Sequence, residues 1–278
     1  MVKIGLIQMT SGANIEDNFE YIARETCKLT KQGAVFVTTP ENALLFSGRE
    51  QYHRYAETLG SGEIQTKLAT LAKSAGCWLH IGSFPIKSGN DVTTTSLIFS
   101  PMGELVGHYS KLHMFDVDVA DSYKSYRESD CFAAGDFVST VSLPFAKCGL
   151  TICYDVRFPS LFQKLRTQGA NLIVVPAAFT AVTGQAHWEV LLRARAIETQ
   201  CWVIGVGQAG THPCGRTTHG HSMVVSPWGD IVHELDESPT SAVCDIALEQ
   251  TEQIRQDMPV MEHARFVVEL KEEPNNDD

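Results

Sequence analysis

Short apolar runs alternate along the chain with segments whose apolar residues recur at helical spacing. KIGLIQMT predicts a buried strand, and NIEDNFEYIARETCKLTKQ a helix with Ile15, Phe19, Ile22 and Ala23 on one face. GAVFVTTPE predicts a strand ending at Pro40, and EIQTKLATLAKSAG a helix closed by Gly76 as C-cap. Strands follow in WLHIGSFPI, TTTSLIFSP and LVGHYSKLH, the last two joined by a hairpin turn at SPMGE. Beyond them, KCGLTICYD, ANLIVVPAAF and CWVIGVGQA predict strands, separated by helices in PSLFQKLRTQG and AHWEVLLRARAIETQ. HSMVVSPWGDIVHEL predicts a second hairpin, turning at SPWGD.

The two halves repeat one plan. GAVFVTTPENALL resembles GANLIVVPAAFTA, and SLIFSPMGELVGH resembles SMVVSPWGDIVHE. This predicts a single α/β domain over residues 1–270, a four-layer α-β-β-α sandwich with an internal quasi-duplication. The acidic stretch 271–278, KEEPNNDD, predicts a disordered tail. TEQIRQDMPVMEHARF, just before it, is a candidate for docking on a partner subunit.

Composition narrows the function classes. With 44% hydrophobic and 20% charged residues, the 278-residue chain has ample material for a core. A net charge of -11 argues against nucleic acid or an anionic membrane as partner. No apolar run approaches the roughly 18–20 residues of a membrane span, and MVKIGLIQMT starts as a strand without a charged leader. The expectation is a soluble cytoplasmic protein. The eight cysteines are scattered, with no C-x-x-C pair and no clustered ligand set, so neither a metal nor another cofactor is expected.

Four residues could carry chemistry. Cys153 ends a strand and precedes YDVRFPSLFQKL, where a helix can start near Pro159. Backbone N–H groups of such a turn favour a thiolate, although a cysteine there is more often packing. Glu41 follows Pro40 at a strand end, and Lys111 ends LVGHYSKLH; each alone is more often solvated. Glu128 lies in a polar loop. Together they make a hydrolytic set. A cysteine needs a base, because its free pKa is about 8.5. A buried glutamate can serve when burial raises its pKa, and a fixed ammonium can hold the oxyanion of a tetrahedral intermediate.

PENALLF, GHYSKLHMFDV and GLTICYDVRFPSL resemble, in order, the three signature segments of the carbon–nitrogen hydrolase (nitrilase) superfamily. The resemblance runs from IGLIQMTSG to IRQDMPV and implies an α-β-β-α sandwich that forms a homodimer or a larger homo-oligomer. It implies Glu41 as general base, Lys111 as oxyanion-stabilising cation and Cys153 as nucleophile. It further implies Glu128 as the glutamate positioning the lysine, with the Tyr154 N–H completing the oxyanion hole.

CYDVRFP resembles the amidase branch, because nitrilases proper carry a Trp-Glu pair after the cysteine. TGQAHWEVLLRARAIETQCWV and THPCGRTTHGHS resemble the branch whose members cleave the amide at the far end of a 2-oxoglutaryl group. They lean toward deaminated glutathione as the small-molecule substrate, with 2-oxoglutaramate as the alternative. A non-catalytic scaffold on the same fold is the rival from another class. In this branch the arginine matching Arg157 binds the substrate carboxylate, with Phe179 and Thr183 beside it. Without the resemblance, Arg157 reads as a salt-bridge partner of Asp155. His187, Trp188 and His221 are pocket or packing residues, and Arg216 is the charge that a longer, peptide-like substrate would meet.

Overall fold

The computed structural model describes residues 1–121 and 123–270; the expected tail over 271–278 lies outside them. The first half contains β1 (Val2–Gln8), α1 (Ile15–Lys31), β2 (Phe36–Thr38), α2 (Arg49–Tyr55), α3 (Glu63–Ala75), β3 (Trp78–Ser88), β4 (Asp91–Phe99) and β5 (Leu105–Ser110). A small ribbon, β6 (Asp116–Asp118) with β7 (Ser125–Arg127), and a 3-10 turn at Glu128–Asp130 lead out of it. The second half contains β8 (Thr140–Ser142), β9 (Lys147–Leu150), a 3-10 turn at Cys153–Arg157, α4 (Pro159–Thr167), β10 (Leu172–Ala177), α5 (Ala181–Thr199) and β11 (Trp202–Gly207). A second ribbon, β12 (Ala209–Thr211) with β13 (Thr217–His219), precedes β14 (Met223–Val225), β15 (Ile231–Glu234), β16 (Thr240–Ile246), α6 (Gln250–Asp257) and α7 (Val260–His263).

The predicted duplication is present in the strand order. One sheet runs β16-β1-β2-β3-β4-β5 and the other β15-β14-β11-β10-β9-β8. In each, three parallel strands (β1, β2, β3 and β9, β10, β11) continue into an antiparallel hairpin (β4–β5 and β14–β15). The chain then crosses over: β16 returns to pair with β1.

Strand periodicity explains the layers. Ile4 and Leu6 of β1 and Phe36 of β2 join the core between the sheets. Ile7 and Val37 turn the other way, onto Ile22 and Leu29 of α1 and Leu68 and Ala72 of α3. Strands buried on both faces read as continuous apolar runs, which is why these were visible in the sequence. Asn14 caps α1 by accepting from Glu16 N (3.1 Å), and Gly76 ends α3 in the left-handed region at φ 64°. Gly82 is required by a close approach. A Cβ there would lie 2.3 Å from Pro40 O and 2.5 Å from Pro176 Cβ, where the equivalent prolines of the two halves meet.

Arg49–Tyr55 forms a helix that no strong period announced, since Tyr52 is its one buried residue. The C-terminal segment docks on its own chain: Gln200 Nε2 donates to Met258 O (2.7 Å) and Arg255 to Ala170 O (2.8 Å). Among the described residues, no helix is long and apolar enough to cross a membrane.

Candidate active site

Glu41, Lys111, Glu128 and Cys153 come together where strand ends of both sheets meet. Glu41 follows β2 by two residues and is 4% exposed; Lys111 directly follows β5 and is 1% exposed. Lys111 Nζ donates to Glu41 Oε1 at 2.8 Å and to both Glu128 oxygens at 2.8 and 2.7 Å. Ala178 N, just past β10, donates to Glu41 Oε2 (2.9 Å), and Phe115 N to Glu128 Oε2 (2.7 Å). Each carboxylate is therefore fixed by the lysine and by a backbone donor from another segment.

Burial alone would lower the Lys111 pKa, but the Glu128 and Glu41 carboxylates outweigh it and hold it well above its ordinary value. Burial raises the Glu128 pKa, with Lys111 opposing.

Cys153 opens the 3-10 turn between β9 and α4 with φ 49°, a left-handed backbone rare for a side chain of this kind. The sharp turn presents the thiol to a cavity of about 150 Å³ that Glu41, Lys111 and Glu128 also line. Burial pushes the Cys153 thiol well above its ordinary pKa, Glu41 adds to this, and Lys111 and the Ala178 N–H do not reverse it.

Tyr154, Phe179 and Thr183 line the same cavity, as does Arg216. Arg157 does not. Its guanidinium lies 5.9 Å from the Tyr154 ring and 5.3 Å from that of Phe179, with Nη1 3.3 Å from His187 Nδ1. Trp188 is packing: 1% exposed, it donates to His221 O (2.7 Å) and lies against Phe179. His187 and His221 are also absent from the lining, His221 facing Glu234 at 3.0 Å. No group of three or more His, Cys, Asp or Glu among the described residues could hold a metal.

Asp155 escaped the sequence reading, which offered it only as a partner for Arg157. It is fully buried. Its Oδ2 accepts from Tyr109 OH (2.7 Å) and Ile152 N (2.8 Å), and its Oδ1 from His113 Nδ1 (2.6 Å) and His113 N (3.2 Å). Tyr109 and His113 flank Lys111 two residues to either side, and Ile152 precedes Cys153. One carboxylate thus ties the lysine's segment to the cysteine's turn. The symmetric spacing of Tyr109 and His113 about Lys111 was the available signal.

The carbon–nitrogen hydrolase family model matches residues 3–256. The chain is 44% identical over 270 residues to a deaminated glutathione amidase of Yersinia enterocolitica, covering 96% of this chain and 94% of that one. It is 40% identical to a deaminated glutathione amidase of Synechocystis, over 94% of this chain and 97% of the relative. Among solved structures, the C. elegans NitFhit protein superposes with a TM-score of 0.89 at 33% identity, covering 99% of this chain and 68% of that one. By a family match that spans both halves of the fold and relatives this similar over nearly the whole length, the chain belongs to the carbon–nitrogen hydrolase family.

Proposed function

We propose that this protein is an amidase that hydrolyses deaminated glutathione to 2-oxoglutarate and cysteinylglycine, with Cys153 as nucleophile. One observation carries the chemistry: a buried ammonium, held by two carboxylates, shares a cavity floor with a cysteine in a strained turn. The substrate follows from the relatives' shared name. Glu41 takes the Cys153 proton as sulfur bonds to the amide carbon. The oxyanion then forms against Lys111 Nζ and the Tyr154 N–H. As the C–N bond breaks, Glu41 passes the proton to the departing amine of cysteinylglycine. A water, deprotonated by Glu41, attacks the thioester; the C–S bond breaks, the proton returns to sulfur, and 2-oxoglutarate leaves. Glu128 keeps Lys111 in place, and Thr183 and Phe179 contact the 2-oxoglutaryl group. Arg157, near the Tyr154 and Phe179 rings but outside the cavity lining, reaches its carboxylate only if its side chain moves.

A substrate panel with product identification tests this. The expected kcat/KM for deaminated glutathione exceeds that for 2-oxoglutaramate by about tenfold or more, a difference of about 1.4 kcal/mol in transition-state binding. The opposite order would make the enzyme an ω-amidase. Turnover of neither, with no mass adduct on Cys153 from an electrophilic amide, would leave the scaffold reading.

The same reading includes self-association through α5. Trp188, Leu192 and Ala196 face inward, yet Val182, Val190 and Ile197 are exposed in a band on the opposite side. Trp228, 60% exposed in the β14–β15 turn, and Val232 extend this band beside Ile197, which packs on Gly229. A helix apolar on both sides calls for a cover on its outer one, and a second copy supplies a self-complementary apolar face. Sedimentation is expected to give at least twice the 30.6 kDa chain mass, and Val190→Glu to shift it toward one chain. A monomeric parent protein would overturn this.

A further inference from the structure

We propose that Arg216 binds the terminal carboxylate of the amine that leaves, and so makes the enzyme prefer a peptide-like amide to a simple one; this rests on the function proposed above. Arg216 lines the cavity. Its guanidinium sits between two ring faces, 4.9 Å from Phe46 and 5.1 Å from Tyr126. Both rings are anchored. Phe46 stacks on His212 at 3.9 Å, and the buried His212 ring contacts Ser11 O (2.8 Å) and Thr218 Oγ1 (2.9 Å). Tyr126 OH donates to Asp121 Oδ2 (2.7 Å). The backbone is pinned as well, with His212 N donating to Arg216 O (2.8 Å).

Among the described residues, Arg216 enters no ion pair and its side chain makes no hydrogen bond, while the nearby Asp121 is occupied by Tyr126 OH and by the N–H groups of Tyr123 and Lys124. The other cations of the cavity are committed. Lys111 serves Glu41 and Glu128, and Arg127 pairs with Asp118 (3.0 Å). A dianionic substrate entering a site with two carboxylates on its floor needs a positive charge that is still available. Arg216 supplies it.

The side of the cavity decides which carboxylate is read. Phe46 closes the segment that begins at Glu41, and the buried Tyr52 hydroxyl lies in the fields of both Arg216 and Glu41. Arg216 therefore stands between the segment that follows Glu41, the base that hands the leaving amine its proton, and the segment that leads into Glu128. Cysteinylglycine carries a carboxylate for Arg216; ammonia, the leaving group of 2-oxoglutaramate, carries none.

The test compares the parent enzyme with Arg216→Gln and Arg216→Lys on three substrates: deaminated glutathione, its C-terminal glycinamide form, and 2-oxoglutaramate. In Arg216→Gln the kcat/KM ratio of deaminated glutathione to 2-oxoglutaramate is expected to fall by about 30-fold, chiefly through KM. The parent's preference for the free acid over the glycinamide should fall with it, and Arg216→Lys should restore part of both. A loss shared equally by all three substrates, or an undiminished preference, would overturn the assignment while leaving the proposed function standing. No parent turnover of either natural substrate would overturn both.

Discussion

Cys153→Ala is expected to lower kcat on deaminated glutathione by about four orders of magnitude or more without unfolding the protein. In the proposed mechanism the sulfur is the atom that bonds to the substrate, and no other cysteine near it takes that place. Cys131 also lines the cavity, but lies in the segment after Glu128, outside the strained turn. Lys111 and the Tyr154 N–H would still polarise a bound carbonyl, so a trace of turnover survives through water. Stability should change by about 1 kcal/mol or less. Alanine has the same left-handed backbone penalty as cysteine at φ 49°, and the space left by the sulfur opens onto the cavity rather than a closed core. Intact-mass measurement after rapid quenching should find the acyl thioester on the parent enzyme and none on the variant. Full activity in Cys153→Ala would remove the proposed mechanism altogether.

Asp155→Ala is expected to destabilise the fold by about 3–5 kcal/mol and to lower kcat by about 100-fold or more through lost positioning. It strips four donors of one buried acceptor group: Tyr109 OH, Ile152 N, and both His113 groups. Asparagine keeps the shape but also fails. Either orientation of its amide turns an NH₂ toward a pair of donors, and Tyr109 OH is held in place as the acceptor for Leu112 N (3.1 Å). Urea unfolding and steady-state kinetics, taken where the variant is still folded, separate the two effects. A merely structural Asp155 would give native kcat in the folded fraction, and a stability loss under about 1 kcal/mol would sink the clamp itself.

The strands and the quasi-duplication were legible because both faces of the central strands are buried, which leaves unbroken apolar runs such as LIVVPA. Glu41, Lys111 and Cys153 were legible because each sits immediately beyond such a run. Glu128 was legible only through the family resemblance: its loop is polar, and its contact is a lysine brought to it by the fold. Asp155 was beside Cys153 in full view, yet its partners Tyr109 and His113 lie over forty residues away in the other half. Arg157 shows the opposite limit. Its position in the chain is the one the family pattern favours, but a side chain's direction is set by packing, and here its guanidinium stacks near the Tyr154 and Phe179 rings, which line the cavity while it does not.

The duplicated sheets imply a mirror image of the site. Pairing β1 with β9 and β2 with β10 in the same register sets Ile4 against Cys148, and hence Met9 against Cys153. Aligning the two proline strands places Ala177 opposite Glu41, and aligning the two hairpins places Glu237 opposite Lys111. The mirrored position therefore holds a thioether for the thiol, a methyl for the carboxylate and an anion for the cation. It is a blank, and its silence shows what the working copy requires. A half-length chain of this fold would own either Glu41 with Lys111 or Cys153, never all three. Two halves must meet before any chemistry exists, and in this molecule only one of the two meeting points has been written.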